Sequence, residues 1–407
     1  MAFNDFQRMS IRSMSDSACI EPKKQRFAMT LASRRTIISS IAASIAFVME
    51  LTLVPLVLPA IQTFYDLTLS HVAWVFNSYG ISVALGVIVG GLIGDAFNIK
   101  RVFATGVVMF ALGAAIVAYA ANFEMLIAGR VLQGFGGGIF SPLVPLLLTR
   151  TLPHRPGKIL IIWGSLTGYV ATFAPLALSQ TITSTGWQSV FVLFAVLAGV
   201  ALILSVKTEA GKFMPSAQKL PNLGLLFGTG DVWLVFGYIF CTYGAITFFL
   251  FRLPLWLADI DYSVNSIGLI LAAIWLSFSI VGTLLRNWVD SYHVRIIVLA
   301  APFLIAASFL VVYFYHGIGW LTLSAALVGA GFACSNAPST QLVLQFAPQS
   351  LSAICTSLDI TFARLGGVAA VALLAQAGFA ASVGSVVLLS FVALICALVF
   401  LRKVVDS

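Results

Sequence analysis

The stretch that decides the fold class is VFATGVVMFALGAAIVAYAA, residues 102–121. It contains no Asp, Glu, Lys, Arg or His. A helix of about twenty residues, at a rise of 1.5 Å per residue, spans roughly the 30 Å hydrocarbon core of a bilayer. A membrane-spanning β-strand would alternate apolar and polar residues, whereas this stretch is apolar on every face. It therefore predicts a membrane-spanning α-helix.

Similar apolar blocks lie on both sides of this stretch. The chain of 407 residues is 60% hydrophobic and only 9% charged, whereas soluble proteins have roughly 25% charged residues. We therefore predict an all-α membrane protein with twelve transmembrane helices. The expected spans are 36–60, 72–94, 102–121, 124–148, 159–181, 187–206, 231–256, 264–285, 295–316, 319–344, 351–376 and 381–401.

Basic residues mark one side of the predicted bundle. Outside the spans, Lys and Arg occur only in the terminal segments and in every second connection, beginning with the N-terminal segment. Because cytoplasmic loops are enriched in Lys and Arg, this pattern predicts a multi-pass protein of the cell membrane with both termini in the cytoplasm. The same distribution accounts for the net charge of +8 without a nucleic-acid partner.

The polar N-terminal segment 1–35 precedes a long apolar block, whereas a secretory signal has a shorter apolar region close to its start. We interpret this segment as a cytoplasmic tail. Four of the five cysteines lie inside apolar blocks without paired spacing, which indicates packing residues and not disulfides or metal ligands. The histidines all fall in loops or at span ends, so we expect no metal site, no cofactor and no enzymatic activity. They are His71, His154, His293 and His316.

A polar segment, 207–230, divides the chain into halves at 36–206 and 231–401, with a short cytoplasmic tail at 402–407. The halves resemble each other at an offset of 195 residues. Matching pairs include Thr52 with Thr247, Leu58-Pro59 with Leu253-Pro254, and Asp95 with Asp290. We interpret the segment as a cytoplasmic linker and predict two pseudo-symmetric six-helix bundles with a transport path between them.

The string GLIGDAFNIKRV, residues 91–102, resembles a pattern of the major facilitator superfamily, specifically its drug:proton antiporter branch. Gly91, Asp95, Lys100 and Arg101 match that pattern. The resemblance implies that they form a conformational latch between the two halves. The family's second glycine is replaced by Asn98, which can also adopt the left-handed turn conformation.

Two further strings resemble the same branch. GRVLQGFGGG at 129–138 resembles its fourth-helix pattern, and MELTLVPLVLPAI at 49–61 resembles its first-helix pattern, with Glu50 as the acid. The glycines of the first string are not a phosphate-binding loop, because no strand precedes them and no Lys-Ser/Thr follows. We expect them to allow close helix packing.

The fifth-helix signature of the branch is only partly kept. Pro175 and Trp187 have its spacing, but Ala174 replaces a glycine, and Leu178 and Ser179 replace a glycine pair. These departures leave the direction of transport open.

Charged residues inside spans are functional candidates, because burying a charge in a membrane is costly. We predict that Glu50 carries the coupling proton and that Arg130 tunes it or binds anionic substrate. A structural ion pair and a snorkelling arginine are the alternatives. Asp359 and Arg364 project about 140° apart and cannot readily pair with each other. A second coupling site and a bundle-packing role remain equally open for them.

The expected function is proton-coupled export of a small organic molecule by alternating access, performed by a monomer in the lipid bilayer. Proton-coupled uptake of a metabolite and a non-transporting receptor or scaffold are the alternatives. The predicted spans contain three arginines and two acids, namely Arg130, Arg252 and Arg364 against Glu50 and Asp359. This excess of positive charge favours anionic or zwitterionic cargo such as a carboxylate-bearing metabolite or a siderophore-like chelator. The predicted substrate-binding residues are Arg130, Gln133, Asn77, Asn336 and Arg364.

Overall fold

The computed structural model shows a helical protein without strands in the part of the chain that it describes. Twelve helices there are long and apolar enough to cross a membrane, which confirms the predicted fold class. Most of the predicted tails and linker lies outside the described residues. The structure describes residues 31–153, 156–206, 228–286, 288, 294–348, 351–377 and 379–403.

We number the spans α1 to α12 and divide the fourth into two segments. The bounds are α1 Leu31–Phe64, α2 Leu69–Ala96, α3 Ile99–Ala118, α4a Phe123–Phe140, α4b Leu143–Thr151, α5 Pro156–Thr185, α6 Gln188–Val206, α7 Gly230–Asp259, α8 Val264–Leu285, α9 Val294–Phe314, α10 Ile318–Phe346, α11 Ser352–Leu374 and α12 Phe379–Lys403.

The predicted helix ends lie within four residues of the observed ones except at the start of α1, and the fourth span is divided in two. Helix α1 begins at Leu31, five residues before the predicted start, because nothing in the polar sequence there stops a helix from continuing beyond the apolar core. The fourth span was predicted as one helix, but it breaks between Phe140 and Leu143. Pro142 lies at that break and has no N–H to continue the helical hydrogen-bond ladder.

The predicted internal repeat appears in the positions of the helices. Asp66 and Asp261 follow the ends of α1 and α7, and each has a positive φ angle, 52° and 64° respectively. Aspartate tolerates this left-handed conformation better than most residues. The following helices also begin 195 residues apart. The pairs of first residues are Leu69 with Val264, Ile99 with Val294, and Phe123 with Ile318.

Helix contacts group α1–α6 and α7–α12 into two bundles. The bundles contact each other mainly through α2 with α11 and α5 with α8, and α1 also contacts α7. The approach of α5 to α8 is close: a Cβ atom on Gly268 would lie 2.8 Å from the carbonyl oxygen of Pro175. Pro175, the residue of the fifth-helix signature, therefore lies at the interface between bundles.

Glycines let α4a pack directly against its neighbours. A Cβ atom on Gly134 would lie 2.5 Å from the carbonyl oxygen of Tyr79 on α2, and one on Gly138 would overlap the carbonyl oxygen of Val83. The expected packing role of the glycine string is confirmed. This close approach also brings the polar side chains of α4a next to α1 and α2.

Gly138→Ala is expected to lower the thermal unfolding midpoint of the purified protein, because its methyl group forces α2 and α4a apart. Overpacking of this kind costs about 1–3 kcal/mol. Gly199→Ala on α6 is the matched control, since a Cβ atom there meets open space. Thermal unfolding in detergent, followed by tryptophan fluorescence, measures both. Equal midpoints for the two variants would contradict the packing interpretation.

Candidate functional site

A buried ion pair joins α1 to α4a at the centre of the N-terminal bundle. The Nη1 atom of Arg130 lies 2.7 Å from the Oε1 atom of Glu50, and the two side chains are only 1% and 2% exposed. Taking two charges out of water costs several kcal/mol per ion, so a buried ion pair is not expected to be present only because it stabilises the fold. Because charged side chains inside a span are rare and often functional, this ion pair is the leading functional candidate.

Arg130 is fixed by more than Glu50. Its Nη1 also donates a hydrogen bond to Oε1 of Gln133 (2.9 Å), and its Nε donates to the carbonyl oxygen of Val75 (3.1 Å). The guanidinium carbon lies 4.4 Å from the ring centroid of Tyr79, a distance that allows a cation–π contact. The structure thus brings together the three predicted residues Glu50, Arg130 and Gln133. It adds Val75 and Tyr79, which the sequence analysis missed.

Two amides near this ion pair keep unused hydrogen-bonding capacity. The Nε2 atom of Gln133 is buried and donates to no acceptor among the described residues. Asn77 donates from Nδ2 to the carbonyl oxygen of Val368 on α11 (3.0 Å), while its Oδ1 is buried without a donor in the same part of the chain. Asn77 therefore links the two bundles in this conformation, and its predicted role in substrate binding stays a prediction.

A second polar cluster lies in the C-terminal bundle. Thr340 on α10 donates a hydrogen bond of 2.5 Å to Oδ2 of Asp359 on α11. Tyr243 on α7 donates a hydrogen bond of 2.6 Å to Oδ1 of Asn336 on α10. Asp359 is buried. Asp359 and Asn336 were predicted from the sequence, whereas their hydroxyl partners, Thr340 and Tyr243, were not.

Arg364 points away from Asp359, as their separation on one helix predicts. Its guanidinium carbon lies 6.0 Å from the ring centroid of Phe47 on α1. Arg364 therefore reaches from α11 to the N-terminal bundle, while Thr340 is the hydrogen-bond partner of Asp359. This placement puts a cation at the interface between the two polar clusters.

The predicted latch lies where α2 ends and α3 begins. A Cβ atom on Gly91 would lie 3.4 Å from Oγ of Ser357 on α11, so the end of α2 faces the first turns of α11. The side chain of Asp95 lies outside the described residues. The backbone N–H of Lys100 donates to Oδ1 of Asn98 (3.0 Å), and Arg101 is exposed.

Asn98 does not use the left-handed conformation that asparagine can adopt in place of glycine. Its φ angle is −64°, and it is the N-cap residue of α3. An asparagine side chain at this position satisfies a backbone N–H of the first helical turn, which is a favoured use of asparagine. The turn before α3 therefore needs no glycine at position 98.

Asp95→Asn is expected to slow transport turnover without changing which compounds compete. The reason is that Asp95 lies in the last turn of α2 beside the bundle interface, far along the helix from Asn77. The control is Asp261→Asn, because Asp261 lies in a turn at the other membrane face and asparagine tolerates its φ of 64°. Turnover and competition profiles in proteoliposomes measure both effects. An altered competition profile at normal turnover would contradict the latch.

The comparison with known sequences decides the family. The sequence profile described as Major Facilitator Superfamily matches residues 39–371. The chain belongs to this superfamily. The members of this superfamily are membrane transporters and not enzymes, and the twelve apolar helices described above agree with a multi-pass membrane protein.

Several relatives in the superfamily carry names of resistance or export proteins. The tetracenomycin C resistance and export protein of Streptomyces glaucescens is 28% identical over 51% of this chain and 37% of its own length. The methylenomycin A resistance protein of Bacillus subtilis is 28% identical over 44% of this chain and 39% of its own length. EfpA of Mycobacterium tuberculosis, named as an uncharacterised transporter of the superfamily, is 25% identical over 75% of the chain and 58% of its own length.

These matches agree with the predicted drug:proton antiporter branch, although the chain spans less than two thirds of each of these relatives. Solved structures share the fold. A point mutant of the nucleoside transporter NupG has a TM-score of 0.76 at 12% identity, covering 90% of this chain and 99% of its own. A point mutant of a POT peptide transporter in complex with sulfate also has a TM-score of 0.76, at 16% identity, covering 95% of this chain and 96% of its own.

Proposed function

We propose that this transporter exports a small organic molecule from the cytoplasm in exchange for protons, by alternating access between its two bundles. The observation that carries the proposal is the buried ion pair of Glu50 and Arg130. In the same proposal, the chain works as a monomer in the cell membrane, with both termini in the cytoplasm. The basic residues of its connections support this orientation.

Glu50 is the group of this ion pair that can release and take up a proton, because an arginine stays charged at all physiological pH values. When Glu50 is ionised, Arg130 holds it at 2.7 Å. When Glu50 binds a proton, the attraction to Arg130 falls and the guanidinium can pair with another anion. One carboxyl group and one guanidinium are therefore enough to couple proton binding to substrate binding.

The donors around Arg130 favour a carboxylate-bearing or zwitterionic cargo. The guanidinium has a planar arrangement of N–H donors that matches a carboxylate. Gln133 adds a buried amide N–H group that lacks an acceptor among the described residues. Arg364 supplies a second cation at the bundle interface. The named resistance and export relatives support a drug-like or natural-product compound as the cargo class.

Contacts between α5 and α8 support alternating access. Near one membrane face the helices touch: Gly268 meets Pro175, and Asn265 donates from Nδ2 to Oε1 of Gln180 (3.1 Å). Toward the other face, added Cβ atoms on Gly164 and Gly282 would meet nothing within 4 Å. With the proposed orientation α5 and α8 close the outward end, while α2 and α11 still meet near the cytoplasmic end through Gly91 and Ser357, so alternating access requires these two sets of contacts to open in turn.

Transport by purified protein in proteoliposomes tests the proposal. Anionic and cationic compound sets are first screened by thermal shift, and the best ligand is then followed under an imposed pH gradient. Movement against the proton flux supports export, whereas movement with it supports uptake of a metabolite. Failure of every ligand to exchange in counterflow would contradict transport and favour a receptor or scaffold.

A further inference from the structure

Arg364 is an arginine near the middle of α11 that the ion pair of the N-terminal bundle does not use. Its guanidinium group makes no ion pair and no hydrogen bond with the residues that the structure describes. The side chain is only half-buried, and the ring of Phe47 on α1 lies 6.0 Å from its guanidinium carbon. Because an unpaired arginine inside a span is costly unless it faces water or a ligand, Arg364 is expected to face the space between the bundles.

Arg130 differs from Arg364 in both respects. It is 1% exposed, and its Nη1 atom donates to Glu50 and Gln133. It can therefore turn to another anion only after Glu50 is protonated. An anion that enters this conformation meets available donors on Arg364 before it meets them on Arg130.

Three aromatic rings of the C-terminal bundle form a cluster near Arg364. The ring centroid of Phe332 on α10 lies 5.3 Å from that of Tyr243 on α7 and 4.6 Å from that of Phe278 on α8. All three side chains are half-buried, so part of each ring remains accessible. The charge of Arg364 acts on Tyr243 through space, which places the guanidinium group close to this cluster. We call Tyr243, Phe278 and Phe332 the C-terminal aromatic wall.

The space beside this wall is open on one side. Gly282 lies one helical turn after Phe278 on α8, and a Cβ atom there would meet nothing within 4 Å. The same holds for Gly164 on α5, which directly follows the half-buried Trp163. Both glycines lie toward the end of their helices that the proposed orientation places in the cytoplasm. A ligand can therefore approach Phe278 from that side.

We infer that the cargo is an aromatic carboxylic acid, whose carboxylate accepts hydrogen bonds from Arg364 and whose ring packs against the C-terminal aromatic wall. This inference rests on the proposed function, since it names the class of molecule that the same transport path carries. The planar guanidinium group matches a carboxylate. Aromatic rings attract one another in stacked or edge-to-face contacts beyond the effect of the area they bury, so a saturated ring of similar size gains less.

Isothermal titration of the purified protein with matched pairs of acids tests the ring contact. The pairs are benzoate with cyclohexanecarboxylate and naphthoate with decahydronaphthoate. We expect the aromatic member of the tighter-binding pair to bind about five-fold or more tightly than the saturated member, as aromatic contacts imply. Phe332→Leu should remove most of this preference. Phe303→Leu is the matched control, since Phe303 is an exposed residue of α9.

The carboxylate contact is tested in the same titration. Arg364→Gln should weaken naphthoate binding by about ten-fold or more, because it removes a charge-assisted hydrogen bond. Binding of the neutral naphthalenemethanol should stay unchanged, which also shows that the variant is folded. Arg402→Gln is the matched control, since Arg402 is exposed at the end of α12.

The outcomes separate this inference from the proposed function. If saturated and aromatic acids bind equally well, or if no aromatic acid binds while another anion exchanges in counterflow, the aromatic class is wrong and the proposed transport stands. If naphthoate binding is the same in Arg364→Gln and Arg402→Gln, the carboxylate contact is wrong. Aromatic acids that bind through Arg364 and Phe332 support the inference, and their failure to exchange in counterflow would then contradict the transport alone.

Discussion

Glu50→Gln is expected to abolish proton-driven transport while substrate exchange without a gradient continues. The amide keeps the shape of the side chain, and its oxygen can still accept the hydrogen bond that Arg130 donates to Glu50 at 2.7 Å. It cannot titrate, so the cycle loses the step in which a proton releases Arg130. We expect the rate of gradient-driven transport to fall to that of liposomes without a pH gradient. The counterflow rate should stay within about a factor of ten of wild type, and a ten-fold change in rate corresponds to about 1.4 kcal/mol of activation free energy.

The stability of this variant needs a separate measurement. Removing the charge of Glu50 leaves Arg130 buried without a counter-ion, and breaking a buried pair in this way costs about 3–5 kcal/mol. Gel filtration and thermal unfolding therefore accompany the transport assay. Preserved counterflow shows that the loss of driven transport is not caused by unfolding. Gradient-driven transport at the wild-type rate would remove Glu50 from the coupling mechanism.

Asp359→Asn is the matched comparison, because Asp359 is also a buried acid in a span. Its partner in the structure is the hydroxyl of Thr340, and not a cation. Because this partner is a hydroxyl group, protonation of Asp359 does not set a guanidinium free. If Glu50 alone carries the coupling proton, Asp359→Asn should retain driven transport. If both variants lose it, the two bundles each contribute a proton site.

The fold was predictable from the sequence because its main signal is strong. Blocks such as 102–121 have one stable solution in a bilayer, a helix that satisfies its own backbone. The ends of the helices were less predictable, since polar residues outside the hydrocarbon core neither require nor forbid a helix. The early start of α1 at Leu31 and the break of α4 at Pro142 are both of this kind.

The candidate site was predictable where charge marks it and not elsewhere. Glu50 and Arg130 stand out because charges are rare inside spans. Tyr79 and Thr340 gave no such signal, because aromatic rings and hydroxyls are common in membrane helices and only the packing shows which ones face a charge. Val75 contributes its backbone carbonyl, a group that every residue has, so no sequence pattern could have selected it.

Arg252 was visible in the sequence, but its surroundings could not be predicted from it. Its charge made it visible in the sequence, yet position alone allowed an exposed side chain at the outer surface. The structure instead buries two of its nitrogen atoms in an apolar cleft without acceptors among the described residues. Whether an intramembrane arginine is paired, exposed or unsatisfied depends on neighbouring helices that are distant in sequence.

Arg130→Lys is expected to weaken binding of an anionic substrate by about ten-fold or more while expression and membrane insertion remain. Charge-assisted hydrogen bonds contribute roughly 1.5–3 kcal/mol. The guanidinium of Arg130 donates at the same time to Glu50, Gln133 and the carbonyl oxygen of Val75. A lysine ammonium is a compact point charge on a flexible stem and cannot reproduce this planar arrangement or its contact with a carboxylate.

The control for this substitution is Arg402→Lys, which changes the same side chain at an exposed position outside the site. Substrate affinity is measured by isothermal titration on the ligand identified in the thermal-shift screen, together with a cationic compound of similar size. Because lysine keeps the positive charge beside Glu50, we expect the proton dependence of the remaining transport to persist. The predicted signature is thus a loss of affinity for the anion with coupling intact. An Arg130→Lys protein that binds the anion as tightly as wild type would show that Arg130 is not a carboxylate clamp, and the anionic cargo would then lose its main support.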